Sequence, residues 1–239
     1  MGYPLFNGSL IDISLHKKTV VNTINQYSYC MAEKDETFKA ALMESDVLLP
    51  DGVGITVASS FLNRQNIKKI AGADFHHYML EKMNEQSGSC FYLGSSENTL
   101  SKIRERIKEE YPNIRVETYS PPYKPEFTEQ DSNDMIAAVN NFQPDVLFIG
   151  MTAPKQEKWI HAHKALLNTK VIGSIGAVFD FYAGTIERPP SIWIRFGLEW
   201  LGRLVAEPKR MWKRYLYYGP AFVMLLVKNK TKQTFKSNP

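Results

Sequence analysis

Cysteine is scarce in this sequence, and the two that occur, Cys30 and Cys90, lie far apart in apolar runs. They match neither the spacing of a zinc site nor a disulfide framework, so they indicate a reducing compartment. Three catalytic signatures are also missing: the G-x-x-x-x-G-K-[ST] loop, the G-x-S-x-G elbow and any D-x-D. The first two absences exclude P-loop and serine-hydrolase chemistry of the usual kinds. The third removes the common carboxylate pair for a metal-bound diphosphate, and we expect neither a metal nor another cofactor.

Long apolar runs are missing as well. The longest run near the C-terminus, AFVMLLV at 221–227, falls far short of the roughly 18 apolar residues of a spanning helix. The N-terminus has no basic start followed by an apolar core, which argues against a signal peptide. We therefore expect a cytoplasmic protein.

Acidic residues are nearly absent from the C-terminal part of the chain. Residues 201–239 hold nine Lys or Arg against Glu207 alone, whereas residues 1–200 hold 20 basic and 24 acidic side chains. Such asymmetry predicts an anionic partner for the tail: a membrane surface, a nucleic acid or a phosphorylated substrate.

Strand-like and helix-like segments alternate through most of the chain. Alternation at this spacing predicts an α/β fold with a largely parallel sheet flanked by helices. The alternation stops near Pro189-Pro190, and a helical, aromatic and basic segment follows. We therefore predict a core of residues 1–190 and a C-terminal appendage of residues 191–239. The predicted strands cover residues 10–15, 46–50, 89–94, 114–120 and 144–150, with another from 170.

Asp51 stands just past the predicted strand 46–50, followed by Gly52 and Gly54. In open α/β sheets, ligands bind outside the carboxyl ends of the strands, which favours a functional aspartate. The alternative is an ordinary turn, with the glycines adopting unusual dihedral angles and Asp51 capping the next helix. This stretch alone does not choose between them.

Three further loops follow predicted strands at the same edge of the sheet. One of them, at 150–157, contains Lys155 and Gln156 at a helix start, where free N–H groups favour an anion. The other two, at 92–98 and 174–190, bring further glycines to this edge, together with Asp180 and Arg188. Several anion-compatible loops at one edge favour a nucleotide-type ligand over a purely structural role.

Eight short motifs follow one another along the chain. They are T-x-N at Thr23 and Asn25, LPDGVG, KIAGAD, YLG, YPNI, PDVLFIGMTAPKQEKWI, GAVFDFYAGTIERPP and GLEWLGRLVAEPKRMWKRY. In order and spacing, this set resembles the WecG/TagA/CpsF family of bacterial glycosyltransferases over residues 11–215. Each motif alone is weakly specific, and the ordered set is what identifies the family.

The resemblance implies a Rossmann-like fold of the GT-E type and a specific reaction. Family members transfer a sugar from a UDP-sugar to an undecaprenyl-diphosphate-linked saccharide, with inversion and without a metal, at the inner membrane face. Asp51 matches the family's proposed general base. A carboxylate suits that role when it lies within hydrogen-bond reach of the acceptor hydroxyl.

The resemblance also assigns binding residues. Thr23 and Gln156 match positions that the family places around the donor and acceptor, and Asn25 lies in the same motif as Thr23; all three would hydrogen-bond sugar groups. Lys69 stands where the family commonly has Arg, so it keeps the positive charge but loses the bidentate fork. The tail resembles an appendage that docks on the membrane and closes over the site. Its cations, which would contact a diphosphate or lipid headgroups, are Arg203, Arg210, Lys213 and Arg214.

The implied partners are a UDP-sugar, a polyprenyl-diphosphate-linked sugar such as one bearing GlcNAc, and an anionic inner-membrane surface. We expect no nucleic acid, because the aromatic and apolar residues of the tail fit lipid better than a duplex. Two other classes stay open: a non-catalytic basic module and a nucleotide-dependent oxidoreductase, which the incomplete glycine fingerprint disfavours. The donor sugar, the polymer pathway and a homo-oligomer are left open by the sequence.

Overall fold

A computed structural model describes residues 1–186, 199–206 and 208–236 of the chain. Six parallel strands form one sheet in the order β2-β1-β6-β5-β3-β4. Because all the strands are parallel, their carboxyl ends lie along one edge. The strands are β1 (Thr19–Ile24), β2 (Val47–Pro50), β3 (Ser89–Gly94), β4 (Arg115–Tyr119), β5 (Val146–Gly150) and β6 (Val171–Ser174).

Helices connect and cover these strands, which confirms the predicted α/β Rossmann-like fold. Several of the helices are capped by side chains, as at Asn25, Asp35, Ser96 and Thr128. In the core the helices are α1 (Gln26–Ala32), α2 (Glu36–Met43), α3 (Val53–Asn63), α4 (Gly72–Glu85), α5 (Glu97–Glu110), α6 (Glu129–Phe142), α7 (Lys155–His163) and α8 (Val178–Tyr182). Towards the C-terminus follow α9 (Glu199–Ala206), α10 (Pro208–Trp212), a π-helical turn (Lys213–Tyr217) and α11 (Tyr218–Lys236).

The two faces of the sheet bury different sets of helices. One face packs against α4, α5 and α8 through residues such as Phe75, Ile103 and Phe179. Side chains of α6 and α7 pack on the other face, where Val20 and Ile172 of the sheet are buried with them. The buried strands read as nearly continuous apolar runs because helices cover both faces.

One strand prediction is wrong. Residues 10–15 do not form a strand: Leu10–Asp12 is a short 3₁₀ helix, in which the Asp12 carboxylate accepts a bond from Ser9 N–H at 2.7 Å. The first strand is Thr19–Ile24, which pairs with both β2 and β6. Local alternation of apolar residues suggested the earlier segment, whereas the β-branched run at 19–21 fits the fully buried central position.

The C-terminal helix α11 packs on the core. Phe222 and Leu226 are buried in a cluster with Tyr29 of α1, and the rings of Phe222 and Tyr29 meet edge to face at 5.4 Å. Asn229 Nδ2 donates to Tyr29 Oη at 2.8 Å. Within the described ranges, no helix combines the length and the apolar character needed to cross a bilayer. Arg188 and the predicted boundary at Pro189-Pro190 lie outside the described residues, so the division at 190 stays a prediction.

Candidate active site

The polar residues singled out in the sequence gather at the carboxyl edge of the sheet. The register places Ile24 of β1 beside Pro50 of β2, and Asp51 N–H donates to Ile24 carbonyl oxygen at 2.9 Å. Asn25 and Asp51 therefore follow neighbouring strands at the same level. Strands β6 and β5 end next along this edge, where Ile175 N–H donates to the Ile149 carbonyl at 3.1 Å.

Thr23 and Asn25 have different local roles at the end of β1. Asn25 is the N-cap of α1, and its Oδ1 accepts from Tyr27 N and Ser28 N at 3.0 Å each. Thr23 is half-buried, and its methyl carbon lies 3.6 Å from where a Cβ would stand on Gly72, the first residue of α4. The cap fixes the turn from β1 into α1, which holds Asn25 in place next to Gly52.

Asp51 directly precedes a glycine turn that opens helix α3. The ordinary-turn interpretation required Asp51 to cap the next helix, but the N-cap of α3 is Gly52. Gly52 has φ 110°, a conformation that favours glycine. A Cβ on Gly54 would lie 2.6 Å from the side chain of Gln26, so this position needs glycine for close approach of α1. The two glycines thus set the half-buried Asp51 against the start of α1.

Lys69 lies in the segment between α3 and α4. Ile70 N–H donates to the carbonyl of Pro50 at 3.1 Å, which runs the chain at 69–70 alongside the end of β2. The half-buried Lys69 therefore stands at the same edge as Asp51, and both residues have interaction partners in the folded protein. A cation at this place suits a phosphate-bearing ligand.

Gln156, in the first turn of α7, is almost fully buried at 3% exposure. Its Oε1 accepts from Met151 N–H at 3.1 Å, and its Nε2 donates to Glu157 Oε1 at 2.8 Å. The amide also lies 3.6 Å from where a Cβ would stand on Gly176, in the loop after β6. Gln156 thus braces the loops that follow β5 and β6, a role that the sequence did not suggest.

Glu157 was not singled out from the sequence, yet it is the most unusual ionisable group near this edge. It is 2% exposed, and its Oε2 is buried without a hydrogen-bond partner among the described residues. Burial raises the pKa of Glu157 to about 7, against the opposing effect of the bond from Gln156 and of the Arg214 charge. Helical spacing could have predicted that Glu157 is buried, because residues 156, 157, 159 and 160 form one buried helix face.

Of the four predicted C-terminal cations, the structure brings Arg214 to the first turn of α1. Its guanidinium lies over the ring of Tyr27, with 4.6 Å between Cζ and the ring centroid, and Tyr27 is two residues from Asn25. Lys213 is exposed. The side chains of Arg203, in α9, and Arg210, in α10, lie outside the described residues.

The carboxyl edge of the sheet therefore brings together the Asp51 carboxylate, hydroxyl and amide groups, and cations from separate elements. Carboxylate and cation together suit deprotonation of a hydroxyl next to a charged leaving group. In the described part of the chain, no group of three or more His, Cys, Asp or Glu could hold a metal ion. The roles assigned to the individual residues stay predictions.

Comparison with known proteins gives a consistent family. The model of the glycosyl transferase WecG/TagA/CpsF family matches residues 9–236. The chain is similar to the N-acetylglucosaminyldiphosphoundecaprenol N-acetyl-beta-D-mannosaminyltransferase of Bacillus subtilis (strain 168), with 32% identity over 92% of this chain and 84% of the relative.

Two other relatives bear the same printed name. The protein of Bacillus spizizenii is 31% identical over 90% of this chain and 81% of its own length. The protein of Staphylococcus aureus (strain MRSA252) is 25% identical over 84% of this chain and 76% of its own length. With a family match over nearly all of its length, this chain belongs to the glycosyl transferase WecG/TagA/CpsF family.

Proposed function

We propose that this glycosyltransferase moves N-acetylmannosamine from a UDP-sugar to GlcNAc-diphosphoundecaprenol in the synthesis of a surface or wall polymer. The names of the relatives support the transferred sugar and the acceptor. The observation that carries the proposal is the position of Asp51, between the end of β2 and the glycine turn of α3, beside the first turn of α1.

In the proposed reaction, the Asp51 carboxylate takes the proton of the acceptor hydroxyl as that oxygen attacks the anomeric carbon. The new carbon–oxygen bond forms as the bond to the UDP oxygen breaks, and UDP leaves with the electron pair. Attack opposite the leaving group inverts the anomeric configuration. A general base in this position contributes on the order of 10²–10⁴-fold to the rate.

The leaving diphosphate gains negative charge, which cations at the edge offset. Lys69 lies along the end of β2, and Arg214 is held on Tyr27 at the start of α1. The proposed reaction uses no metal, so preorganised positive charge supplies the electrostatic stabilisation. In this proposal Thr23 and Asn25 contact sugar groups, and Gln156 holds the loop at Met151 in shape.

The acceptor lies in a membrane, and we propose that the C-terminal segment docks there, on the inner face. Residues 208–236 contain eight Lys or Arg and no Asp or Glu. Trp212 and Tyr217 of this segment are both 53% exposed. Basic and aromatic side chains together fit an anionic headgroup region.

The test is UDP release by the purified protein in EDTA, with a short-chain polyprenyl-diphosphate-GlcNAc acceptor and a panel of UDP-sugars. We expect acceptor-dependent release with UDP-N-acetylmannosamine, lost in Asp51→Asn and kept in the control Asp134→Asn. Asp134 is an exposed aspartate of α6 that accepts a bond from Gln130 and is not among the proposed site residues. Full activity in Asp51→Asn contradicts the assignment of the base, and activity only with divalent metal contradicts the metal-independent reaction.

A further inference from the structure

Helix α3 has an unusual outer face. Val53, Val57 and Phe61 are 46%, 59% and 48% exposed, although all three are large apolar residues. Their spacing of four residues places them on one side of the helix. The opposite side, with Ile55, Ala58 and Leu62, is buried in the core. Both sides of α3 are therefore apolar, and only the inner side is buried in the core.

Helix α11 runs beside this outer face. Lys230 Nζ donates to the carbonyl of Phe61 at 2.9 Å and lies 5.3 Å from the centre of its ring. At the other end, Tyr218 meets Tyr27 near the start of α3. The two helices thus run in the same direction. On α11, Val223, Met224 and Val227 are 57%, 72% and 52% exposed. The α3–α11 face is made of Val53, Val57, Phe61, Val223, Met224 and Val227.

Exposed apolar side chains are concentrated in this part of the molecule. Among the described residues, fourteen large hydrophobic side chains are exposed, and ten of them lie in α3 or in residues 199–236. The remaining four, Ile11, Met43, Tyr123 and Leu166, belong to separate segments. Scattered exposed apolar residues are ordinary, whereas a concentrated patch indicates an interaction surface.

The two segments that carry the α3–α11 face have charges of one sign. Residues 53–70 contain Arg64, Lys68 and Lys69 and no acidic residue, and residues 208–236 contain eight basic residues and no acidic one. A second copy of this chain docking face to face would bring these cations together, which is unfavourable. An anionic lipid surface instead offers acyl chains for the apolar groups and phosphates for the cations.

We propose that α3 itself, together with α11, lies on the anionic membrane surface. This inference rests on the proposed function, which it deepens by extending the docking surface from the tail to the helix that begins at the Asp51 loop. Val53 is two residues from Asp51 in the chain, and the 11 residues of α3 span about 16 Å. Docking through α3 therefore holds Asp51 near headgroup depth, where the diphosphate of a lipid-linked acceptor lies.

The experiment is flotation of the full chain with vesicles of phosphatidylcholine containing phosphatidylglycerol, beside phosphatidylcholine alone. The test variants are Val57→Glu and Phe61→Glu, and the matched control is Leu166→Glu, since Leu166 is 59% exposed, as is Val57. We expect each test variant to lower the partition coefficient on anionic vesicles roughly tenfold. The control should bind like the wild type. If the circular dichroism of a Glu variant differs from that of the wild type, Val57→Ser or Phe61→Ser takes its place. We expect these Ser variants to lower the partition coefficient by less.

Two outcomes overturn the inference. One is flotation of the α3 variants equal to that of Leu166→Glu. The other is that the wild type sediments as a dimer, the α3 variants sediment as monomers, and flotation is the same for all of them. The α3–α11 face would then join two copies of the chain. Transfer is measured separately, with a short-chain acceptor in solution and a long-chain acceptor in vesicles. If neither the wild type nor any variant transfers sugar, the proposed function is wrong. Flotation then still tests whether α3 contacts the membrane.

Discussion

The two edges of the sheet both carry an aspartate next to a strand, and the surroundings of the two aspartates differ. At the amino edge, Asp145 precedes β5, and its Oδ1 pairs with Lys170 Nζ at 2.7 Å while its Oδ2 accepts from Ser89 N and Oγ at 2.9 Å each. At the carboxyl edge, Asp51 lies in a glycine turn beside loops from several strands. The first aspartate bonds to residues at the starts of neighbouring strands, and the second lies at the edge where parallel sheets bind ligands.

The amino edge also has a cavity of about 360 Å³, lined by residues such as Ile13, Tyr78, Lys82, Asp145 and Lys170. Its charged groups already have protein partners, since Lys82 pairs with Glu85 and Lys170 with Asp145. At the carboxyl edge, by contrast, Glu157 keeps a buried oxygen without a partner among the described residues. A cavity alone therefore does not mark the site, and we expect substitution of Asp145 to affect stability and substitution of Asp51 to affect activity.

The largest expected effect is on catalysis. Asp51→Asn keeps the size of the side chain and removes its ability to take a proton, so we expect transfer to fall by about 10²–10⁴-fold. Asp145→Asn, at the amino edge, should retain transfer within a factor of two. Initial rates of UDP release at saturating substrates measure both. Equal losses in the two variants contradict the division between the edges.

The next effect is the pH dependence of stability at Glu157. Burial raises the pKa of Glu157 from 4.5 to about 7, so between these values the folded chain holds a proton that the unfolded chain has released. The stabilisation from that proton is complete below pH 4.5 and is lost as pH rises towards 7, by about 3 kcal/mol. Glu157→Gln does not titrate. Its free energy of unfolding, relative to that of the wild type, should therefore increase as pH rises from 4.5 to 7.

Urea unfolding at pH 4.5, 5.5, 6.5 and 7.5 checks this expectation. Glu109→Gln, which changes an exposed glutamate of α5, is the matched control and should follow the wild type at each pH. Parallel curves for Glu157→Gln and the wild type mean that folding does not raise the pKa of Glu157.

A smaller effect is expected on stability at the amino edge. Asp145→Asn removes the ion pair with Lys170 and weakens the bonds from Ser89, so we expect a loss of about 2 kcal/mol at pH 7. Burial acts to raise the pKa of Asp145, but the bonds from Lys170 and Ser89 outweigh it and hold this pKa below its ordinary value of 3.8. The stabilisation by the carboxylate is present above pH 3.8 and is lost as pH falls further. The difference between variant and wild type in urea unfolding should therefore shrink in acid.

The smallest effect concerns the cation that the tail brings to the carboxyl edge. Arg214→Ala removes the contact with the Tyr27 ring, so we expect a stability loss of about 1 kcal/mol. Lys213→Ala, at the exposed neighbouring position, should change stability by less than about 0.5 kcal/mol. Thermal unfolding compares the two. Equal stability losses in Arg214→Ala and Lys213→Ala contradict a specific contact of Arg214 with α1.

The location of the candidate site could be predicted from the sequence better than the hydrogen bonds between its residues. Asp51 could be singled out because an acidic residue with two glycines after a short apolar run is visible in the sequence. The sequence also put Gln156 near ligands, but the structure shows both ends of its amide engaged, by Met151 N–H and Glu157. Such bonds depend on how loops from β5 and β6 meet, and no local pattern contains that information.

By itself, the sequence determined the class of fold, the polar residues at the strand ends and the charge of the tail. Periodicity and composition determine these, because they reflect how each segment meets water or the core. Only the tertiary structure decided that β1 is 19–24 rather than 10–15, that Glu157 is buried, and that α11 packs on α1 and runs beside α3. The reason is that a periodic pattern shows that a face is apolar, whereas contacts between residues 200 positions apart decide which partner covers it.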